Sequence, residues 1–500
     1  MSPKRSIFRE LLPPPDVLGT FESVLQLPYP ILFDSATAVR PVAQYSFVAA
    51  DPKMVVSAKG RTVELKDVRS RTTVRHEGRA LDFVAELLDA MRSDQDCNGD
   101  RDETCPQEDT DREDIPPFHG GAAGYIGYEY GGVLERLPKP EIDDIAIPDV
   151  VIGLYDWVIA WNHAAGRAWV IGNDELRVDT VVELLKEYAT AQTIIREDDT
   201  SRRTEPETLL FNLLSTHQQL ESTFTPASYS SAVQQVQEHI VVGEIFQANL
   251  SQRFRAPLPC RSEDSTRTVS PAWGLYLRLR AINPAPFASY FDFGDGVIAS
   301  ASPERFLLAD ADGRVETRPI KGTRPSAATK AMDAAAKDEL MKSEKDAAEH
   351  IMIVDVLRND FSRVCLYGSV DVLALLAHER YATVHHLVST IVGQLRPDMN
   401  AIDLLHACFP GGSITGAPKI RAMEVIAQLE PVTRGAYCGT IGYFSTTGAM
   451  DTSILIRTYV IKDGQVYFSA GGGIVADSNP AAEYEETLVK ARALMRALST

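Results

Sequence analysis

The chain has 500 residues, 44% of them hydrophobic and 24% charged, with a formal net charge of -19. That acidic balance argues against a nucleic-acid binder, which needs a basic face, and no run approaches the roughly 20 apolar residues of a membrane-spanning helix. An acidic protein that handles an anion must gather positive charge locally, from a metal ion or a few placed lysines and arginines.

The start, MSPKRSIFRELLPPPD, is basic but lacks a continuous apolar run, so no signal peptide is read and a cytoplasmic location is expected. The six cysteines, Cys97, Cys105, Cys260, Cys365, Cys408 and Cys438, form no CxxC pair and are expected as reduced thiols.

An N-terminal half is read over residues 1–195. PILFDSATA, QYSFVAADP and KMVVSAKG read as its first strands and turns. Residues 94–114 are acidic and almost free of apolar side chains, which predicts a disordered surface insertion. A Gly/Tyr-rich patch, FHGGAAGYIGYEYGGVLERLP, follows it. PDVVIGLYDWVIAW and RAWVIG are then strand-like, rich in β-branched and aromatic residues. Residues 196–224 read as a polar connection.

Residues 225–500 are denser in pattern. SYSSAVQQVQEHIVVGEIFQ places Val233, Val236, Ile240 and Val241 at helical spacing, with Gly243 as a stop. FASYFDFGDGVIASASPERFLL reads as a hairpin turning at Gly294-Asp295-Gly296. VETRPIKGT continues the strands. SEKDAAEHIMIVDVLRND predicts a helix capped by Ser343 and Asp346. CGTIGYFS, MDTSILIRTYVI and QVYFSAGGGIV predict three more strands, and NPAAEYEETLVKARALMRAL a closing helix with Pro480 in its first turn. This mixture fits an α+β or layered body better than strict βαβ alternation.

Several groups could carry chemistry. Asp346 and Glu349 stand at i and i+3 of one helix, and Glu483 and Glu486 do the same on the last, so each pair shares a face. Two such pairs facing each other would make an all-oxygen site suited to a hard cation such as Mg²⁺. On spacing alone, ordinary surface acid is the plainer reading, and Glu486 with Lys490 is also a standard i,i+4 pair. FPGGSITGAPKIRAMEVI is a Gly-rich turn entering a helix, where backbone N–H groups can cradle an anion, but it lacks the Walker pattern. SAGGGIVAD allows close backbone approach to a ligand.

Arg457 is read within an apolar strand, where it needs a structural or a substrate anion. Glu304 is a candidate general acid or a strand-end carboxylate. Of His385 and His386, at most one can face a site, because neighbours in a strand point to opposite faces. No Ser-His-Asp or glutamine-hydrolysing cysteine setting is present; Cys438 lies in the wrong context. The stretch ETRPIKGTRP holds Lys321 between a Pro-Ile and a Gly-Thr pair. So stiff a setting suits a lysine that aims its amine at one atom, the plain alternative being a salt bridge to Glu316.

Between Ile245 and Ser478, IFQANLSQRF, SPERF, TRPIKGT, KDAAEHIMIVDVLRND, FPGGSITGAPKIRAMEVI, GAYCGTIGY, MDTSILIRT and AGGGIVADS follow in order. Together they resemble the chorismate-utilising enzyme family. The N-terminal half is similar to its anthranilate-forming and C4-aminating members through LFDS, QYSF and GGAAGYIGYE. The resemblance implies an α/β/β/α sandwich, two β-sheets packed between outer helices. It also implies a division of labour within the family. Anthranilate-forming members carry alanine where Lys321 stands, whereas members that aminate C4 carry lysine. Asn249 in FQANLSQRF and the FPGGSITGAPK turn also look like the C4-aminating type. Water-adding members use a lysine base where this chain has Gln247, which does not titrate.

On this resemblance, Mg²⁺ is held by Glu349 and Glu486, with Asp346 and Glu483 as outer partners. Ser413, Tyr437, Arg457, Lys490, Asn249 and the amides of Gly471, Gly472 and Gly473 bind chorismate. Lys321 attacks C2, Glu304 donates the proton, and ammonia then attacks C4 to give 4-amino-4-deoxychorismate on the route to p-aminobenzoate and folate. The ammonia comes from a separate glutamine amidotransferase subunit. Anthranilate formation and a non-catalytic scaffold are the alternatives. The LFDS region, around Ser35, is an expected tryptophan pocket, although Asp34 replaces a glutamate and Arg40 is displaced.

Overall fold

A computed structural model describes residues 6–37, 42–96, 114–198, 220–259, 270–325, 329–380 and 384–499. Arg40, residues 97–113 of the acidic insertion and residues 199–219 of the polar connection lie outside the described residues.

Among the described residues, two twelve-stranded sheets form the body, and every strand pair in them is antiparallel. Both halves of the sequence enter both sheets. Ile31–Asp34 pairs with Phe287–Asp292 in the first sheet, and Gly121–Ile126 pairs with Thr440–Ser445 in the second. Between the sheets lies an aromatic core of Phe47, Tyr125, Phe291, Ile441, Tyr443 and Val460. Helices cover both outer faces, one on Phe306, Leu307 and Ile454 of the second sheet and another on Tyr459, Phe468 and Ala470 of the first. The molecule is therefore the α+β sandwich expected, with two β-sheets between outer helices.

Local rules explain the elements. Helix Pro226–Val241 opens on a reciprocal Thr225–Ser228 capping box and buries Val233 and Val236, while Val241 is 81% exposed. The hairpin turns as expected, with Gly294 N–H donating to Asp292 Oδ1 (2.9 Å). Helix Glu344–Ser362 starts where Ser343 accepts from Asp346 N–H (3.2 Å), and its inward stripe is His350, Ile353, Val354, Leu357 and Phe361.

One expectation is corrected. MDTSILIRTYVI is not one strand. Met450–Ile454 lies in the second sheet and Thr458–Lys462 in the first, and Arg457 sits in the crossing between them at φ +53°. An apolar run on both sides of the crossing disguises it, because both strands are buried. The same switch occurs between Val297–Ser302 and Arg305–Ala309, with Glu304 in the crossing.

Candidate active site

The two crossings lie side by side. Ser302 Oγ donates to Ile454 O (2.6 Å), Ala301 N–H to Arg457 O (3.1 Å) and Ile454 N–H to Glu304 O (3.1 Å). Glu304 and Arg457 are thereby brought together where the chain leaves one sheet for the other. Glu304 is buried and accepts from Ser413 Oγ (2.9 Å), which belongs to the Gly-rich turn. Burial raises its carboxyl above the ordinary range, opposed by the Ser413 bond and by the charges of Lys321 and Arg457. Arg457 makes no ion pair or side-chain hydrogen bond among the described residues, and burial lowers its pKa. The nearby Glu304 carboxylate opposes that shift, so the buried guanidinium has one anionic neighbour without a direct hydrogen bond to it.

Lys321 belongs to strand Ile320–Pro325, which pairs with Val384–Gln394. The register shifts between Lys321 and Thr323, and Gly322 takes φ +70°, a bulge that re-aims the residue beside it. A Cβ on Gly322 would also fall 2.8 Å from Leu340 and 3.2 Å from the Asp346 carboxyl carbon. Lys321 is partly buried and makes no ion pair or side-chain hydrogen bond among the described residues. Glu316, the plain alternative as its partner, pairs instead with Arg305 (3.4 Å). Burial pushes the Lys321 amine below the usual lysine range, aided by Lys490 and opposed by Glu349, Glu304 and Glu486.

The two acidic helix faces come close enough for Glu349 to feel the charge of Glu483 and for Lys345, beside Asp346, to pair with Glu483. At Gly472, the place of a side chain is taken by Glu483 Oε2 and Glu486 Oε1, each 3.3 Å from where a Cβ would stand. Glu349 is raised by burial and by the negative charges of Asp346 and Glu483, with Lys321 and Lys345 opposing. It has no hydrogen bond or ion pair among the described residues. Asp346 is engaged by Arg324 (3.2 Å), and Glu483 by Ser478 Oγ (2.7 Å) and Lys345 (3.7 Å). Glu486 pairs with Lys490 (2.7 Å), the i,i+4 pair the spacing allowed. Among the described residues no three acidic, histidine or cysteine groups are placed to hold a metal ion. The groups gathered here are carboxylates, the donor type that a hard cation takes.

The Gly471–Gly473 strand pairs with Gln247–Pro257 on one edge. On the other, its partner Thr458–Lys462 reaches only Tyr467, so beyond that point the glycine edge has no strand neighbour among the described residues. Lys490 Nζ donates to Gly471 O (3.0 Å), tying that strand to the acid cluster. Tyr437 is buried beside Arg434.

Sequence reasoning left some participants undecided or unseen. Of the histidine pair, His386 faces the site: it is buried against the Gly322 backbone and near Arg457, and burial pushes it down to about 3. His385 turns away to Asp333 (2.9 Å) and His378 (2.9 Å). His350, beneath Lys321, is fully buried with neither ring nitrogen partnered, and is pushed down to about 4 by burial and the Lys321 charge. Its place in the apolar stripe of its helix was the available signal. The Arg434–Glu430 pair was also missed, since charged residues in isolation read as surface. Arg434 donates to Glu430 Oε1 (2.7 Å), Ile414 O (3.1 Å) and Asn249 O (2.5 Å), so it binds three walls of the site together.

Ser35 lies elsewhere. It lines a cavity of about 290 Å³ between the sheets, with Phe33, Phe47, Arg305, Tyr443 and Asp451. Its hydroxyl donates to Tyr45 O (2.5 Å), and Asp34 is occupied by Arg280 (2.5 Å) and Tyr276 (3.0 Å).

A model of the chorismate binding enzyme family matches residues 35–496. The chain is 38% identical over 478 residues to aminodeoxychorismate synthase component 1 of Escherichia coli (strain K12), covering 96% of this chain and 95% of that protein. It is 40% identical over 392 residues to anthranilate synthase component 1 of Pseudomonas putida, covering 77% and 76%. The crystal structure of anthranilate synthase component I from Streptococcus pneumoniae TIGR4 aligns with a TM-score of 0.68 at 30% identity, over 91% of this chain and 93% of that one.

Proposed function

The chain belongs to the chorismate binding enzyme family, and we propose that within it the chain replaces the C4 hydroxyl of chorismate by an amino group. Relatives bearing both names match at similar identity, so the choice rests on one observation. Lys321 presents a partly buried, unpaired amine among Glu304, Glu349 and Glu486.

An ordinary lysine near pKa ~10.4 is neutral in less than about 0.1% of molecules at pH 7. Burial enlarges that fraction and so the supply of nucleophile. The neutral Lys321 nitrogen bonds to C2 of chorismate. The two ring double bonds shift and the C4 hydroxyl departs with a proton from Glu304, leaving as water. A carboxyl whose proton is held by burial suits that role. Ammonia then bonds to C4, the double bonds shift back and the C2–nitrogen bond breaks. Lys321 departs as the neutral amine, and the proton of the new C4 ammonium returns to Glu304, so both groups regain their starting state. The sum is chorismate plus ammonia giving 4-amino-4-deoxychorismate plus water.

Arg457, Tyr437, Lys490, Ser413, Asn249 and the amides of Gly471, Gly472 and Gly473 hold and orient the two carboxylates and hydroxyl of the substrate. The donor set fits Mg²⁺, with Glu349 and Glu486 as ligands and Asp346 and Glu483 behind them; it would supply charge neutralisation and electrophilic pull at the ring carboxylate. The name "component 1" of the relatives and the lack of a glutamine-hydrolysing cysteine motif support a separate glutaminase subunit as the ammonia source, in a complex working toward p-aminobenzoate and folate in the cytoplasm. No helix among the described residues is long and apolar enough to cross a membrane.

The test is product identity. Chorismate, Mg²⁺ and an ammonium salt are expected to yield p-aminobenzoate only after an aminodeoxychorismate lyase is added, and a chelator is expected to stop turnover. Anthranilate formed without the lyase would overturn the reading, and no turnover with metal present would favour a scaffold. The cavity at Ser35, with its aromatic walls, is proposed as a tryptophan site. Calorimetry is expected to detect one bound tryptophan, and a flat titration would remove that proposal.

A further inference from the structure

We propose that His350 is a positioning residue for Lys321: its imidazole accepts an N–H of the amine and so turns the nitrogen lone pair toward C2 of the substrate. This rests on the covalent reading above. His350 lies in the inward stripe of helix Glu344–Ser362, with Ile353, Val354, Leu357 and Phe361. It is 0% exposed, and neither Nδ1 nor Nε2 has a hydrogen-bond partner. Buried polar side chains are normally satisfied, and an open one in the core costs stability.

The position of the ring says what it answers to. Helix period places His350 on the face of Asp346, which stands one turn earlier. That face abuts the bulge in the lysine strand: a Cβ on Gly322 would stand 3.2 Å from the Asp346 carboxyl carbon. Lys321 immediately precedes Gly322, and its charge reaches the His350 ring. Lys321 has no side-chain hydrogen bond of its own among the described residues. An open imidazole and an open amine thus share one junction of helix and strand.

The neighbouring groups explain why the acceptor is an imidazole. Glu304, Glu349 and Glu486 all act on the Lys321 amine. A carboxylate that accepts an amine N–H also favours the ammonium form, which has no lone pair. A neutral imidazole accepts through its bare ring nitrogen and leaves the amine uncharged. An amine has two N–H groups and one lone pair, so fixing an N–H fixes where the lone pair points. As the nitrogen bonds to C2 it becomes a secondary ammonium, and its hydrogen bond to His350 becomes charge-assisted and stronger. That gain falls in the transition state, so it raises the rate of the step rather than the affinity for chorismate. No proton changes hands at the ring, and Lys321 departs with both N–H bonds intact.

The experiment mixes the full chain with chorismate and Mg²⁺, without ammonia, and follows the lysine adduct by intact mass after rapid quenching. His350→Leu is expected to slow adduct formation about tenfold or more, with the Kd for chorismate changed less than about twofold, as for loss of one hydrogen bond made in the transition state. The leucine replaces an unsatisfied buried polar group by an apolar one, so the urea midpoint of this variant is expected to stay at or above that of the wild type. Asparagine and glutamine carry an acceptor oxygen near the places of Nδ1 and Nε2. One of His350→Asn and His350→Gln is expected to hold the rate within about threefold of the wild type. Adduct formation at the wild-type rate in His350→Leu, a lowered midpoint in that variant, a chorismate Kd raised as much as the rate falls, or an equal loss of rate in all three variants would each overturn the proposal and leave His350 as a packing residue. A wild-type chain that forms no adduct yet yields p-aminobenzoate with ammonium and the lyase would instead remove the covalent reading on which the proposal stands.

Discussion

Lys321→Ala is expected to abolish formation of 4-amino-4-deoxychorismate, lowering kcat by at least about 10³-fold. The amine is the only nucleophile proposed for the first step, and alanine removes it while leaving the bulge at Gly322 and the strand pairing intact. Slow anthranilate formation can survive, because Glu304, Arg457 and the acid cluster remain. The direct readout is the intact mass of the wild-type chain mixed with chorismate without ammonia. A gain of one chorismate less one water is expected, and its absence in the variant. Unchanged turnover in Lys321→Ala would end the covalent role. A variant that binds chorismate with its former affinity yet forms no adduct would separate nucleophile from counter-ion.

Arg434→Met is expected to destabilise the fold by about 3–5 kcal/mol, the usual result of breaking a buried ion pair from one side. Arg434 and Glu430 are 3% and 5% exposed and joined by two hydrogen bonds of 2.8 and 2.7 Å. Glu430 Oε1 also accepts from Ser251 N–H and Oγ (2.8 Å each), and Arg434 lies 4.6 Å from the centre of the Tyr128 ring. Methionine fills much of the space but leaves an uncompensated carboxylate. Adding Glu430→Gln removes that charge while keeping an acceptor, so the double variant is expected to recover part of the loss. Urea unfolding measures both. A single-variant loss below about 1 kcal/mol would mean that the pair does not hold the Asn249 and Ile414 backbones as the geometry implies.

What could be read from the residues alone was whatever depends on short-range geometry. Helix period puts Asp346 with Glu349, and Glu483 with Glu486, on one face each, wherever the helices end up. Strand alternation allows only one of His385 and His386 at the site. Lys321 stands out because its Pro-Ile and Gly-Thr neighbours restrict the backbone, and the ordered motifs from Ile245 to Ser478 carried the family resemblance. Which elements meet was not legible, because it depends on chain segments far apart in sequence. Only the packed structure brings Glu349 within the field of Glu483, and sets Glu483 and Glu486 of the last helix against Gly472, where a missing side chain lets two carboxylates approach. Only the packed structure turns MDTSILIRTYVI into a passage between sheets. Both flanking strands are buried, so their apolar pattern runs unbroken through Arg457. The Arg434–Glu430 pair follows the same logic. A polar residue announces itself in sequence as solvent-facing, and only tertiary burial reveals that it has lost water and must be answered by a partner or a ligand.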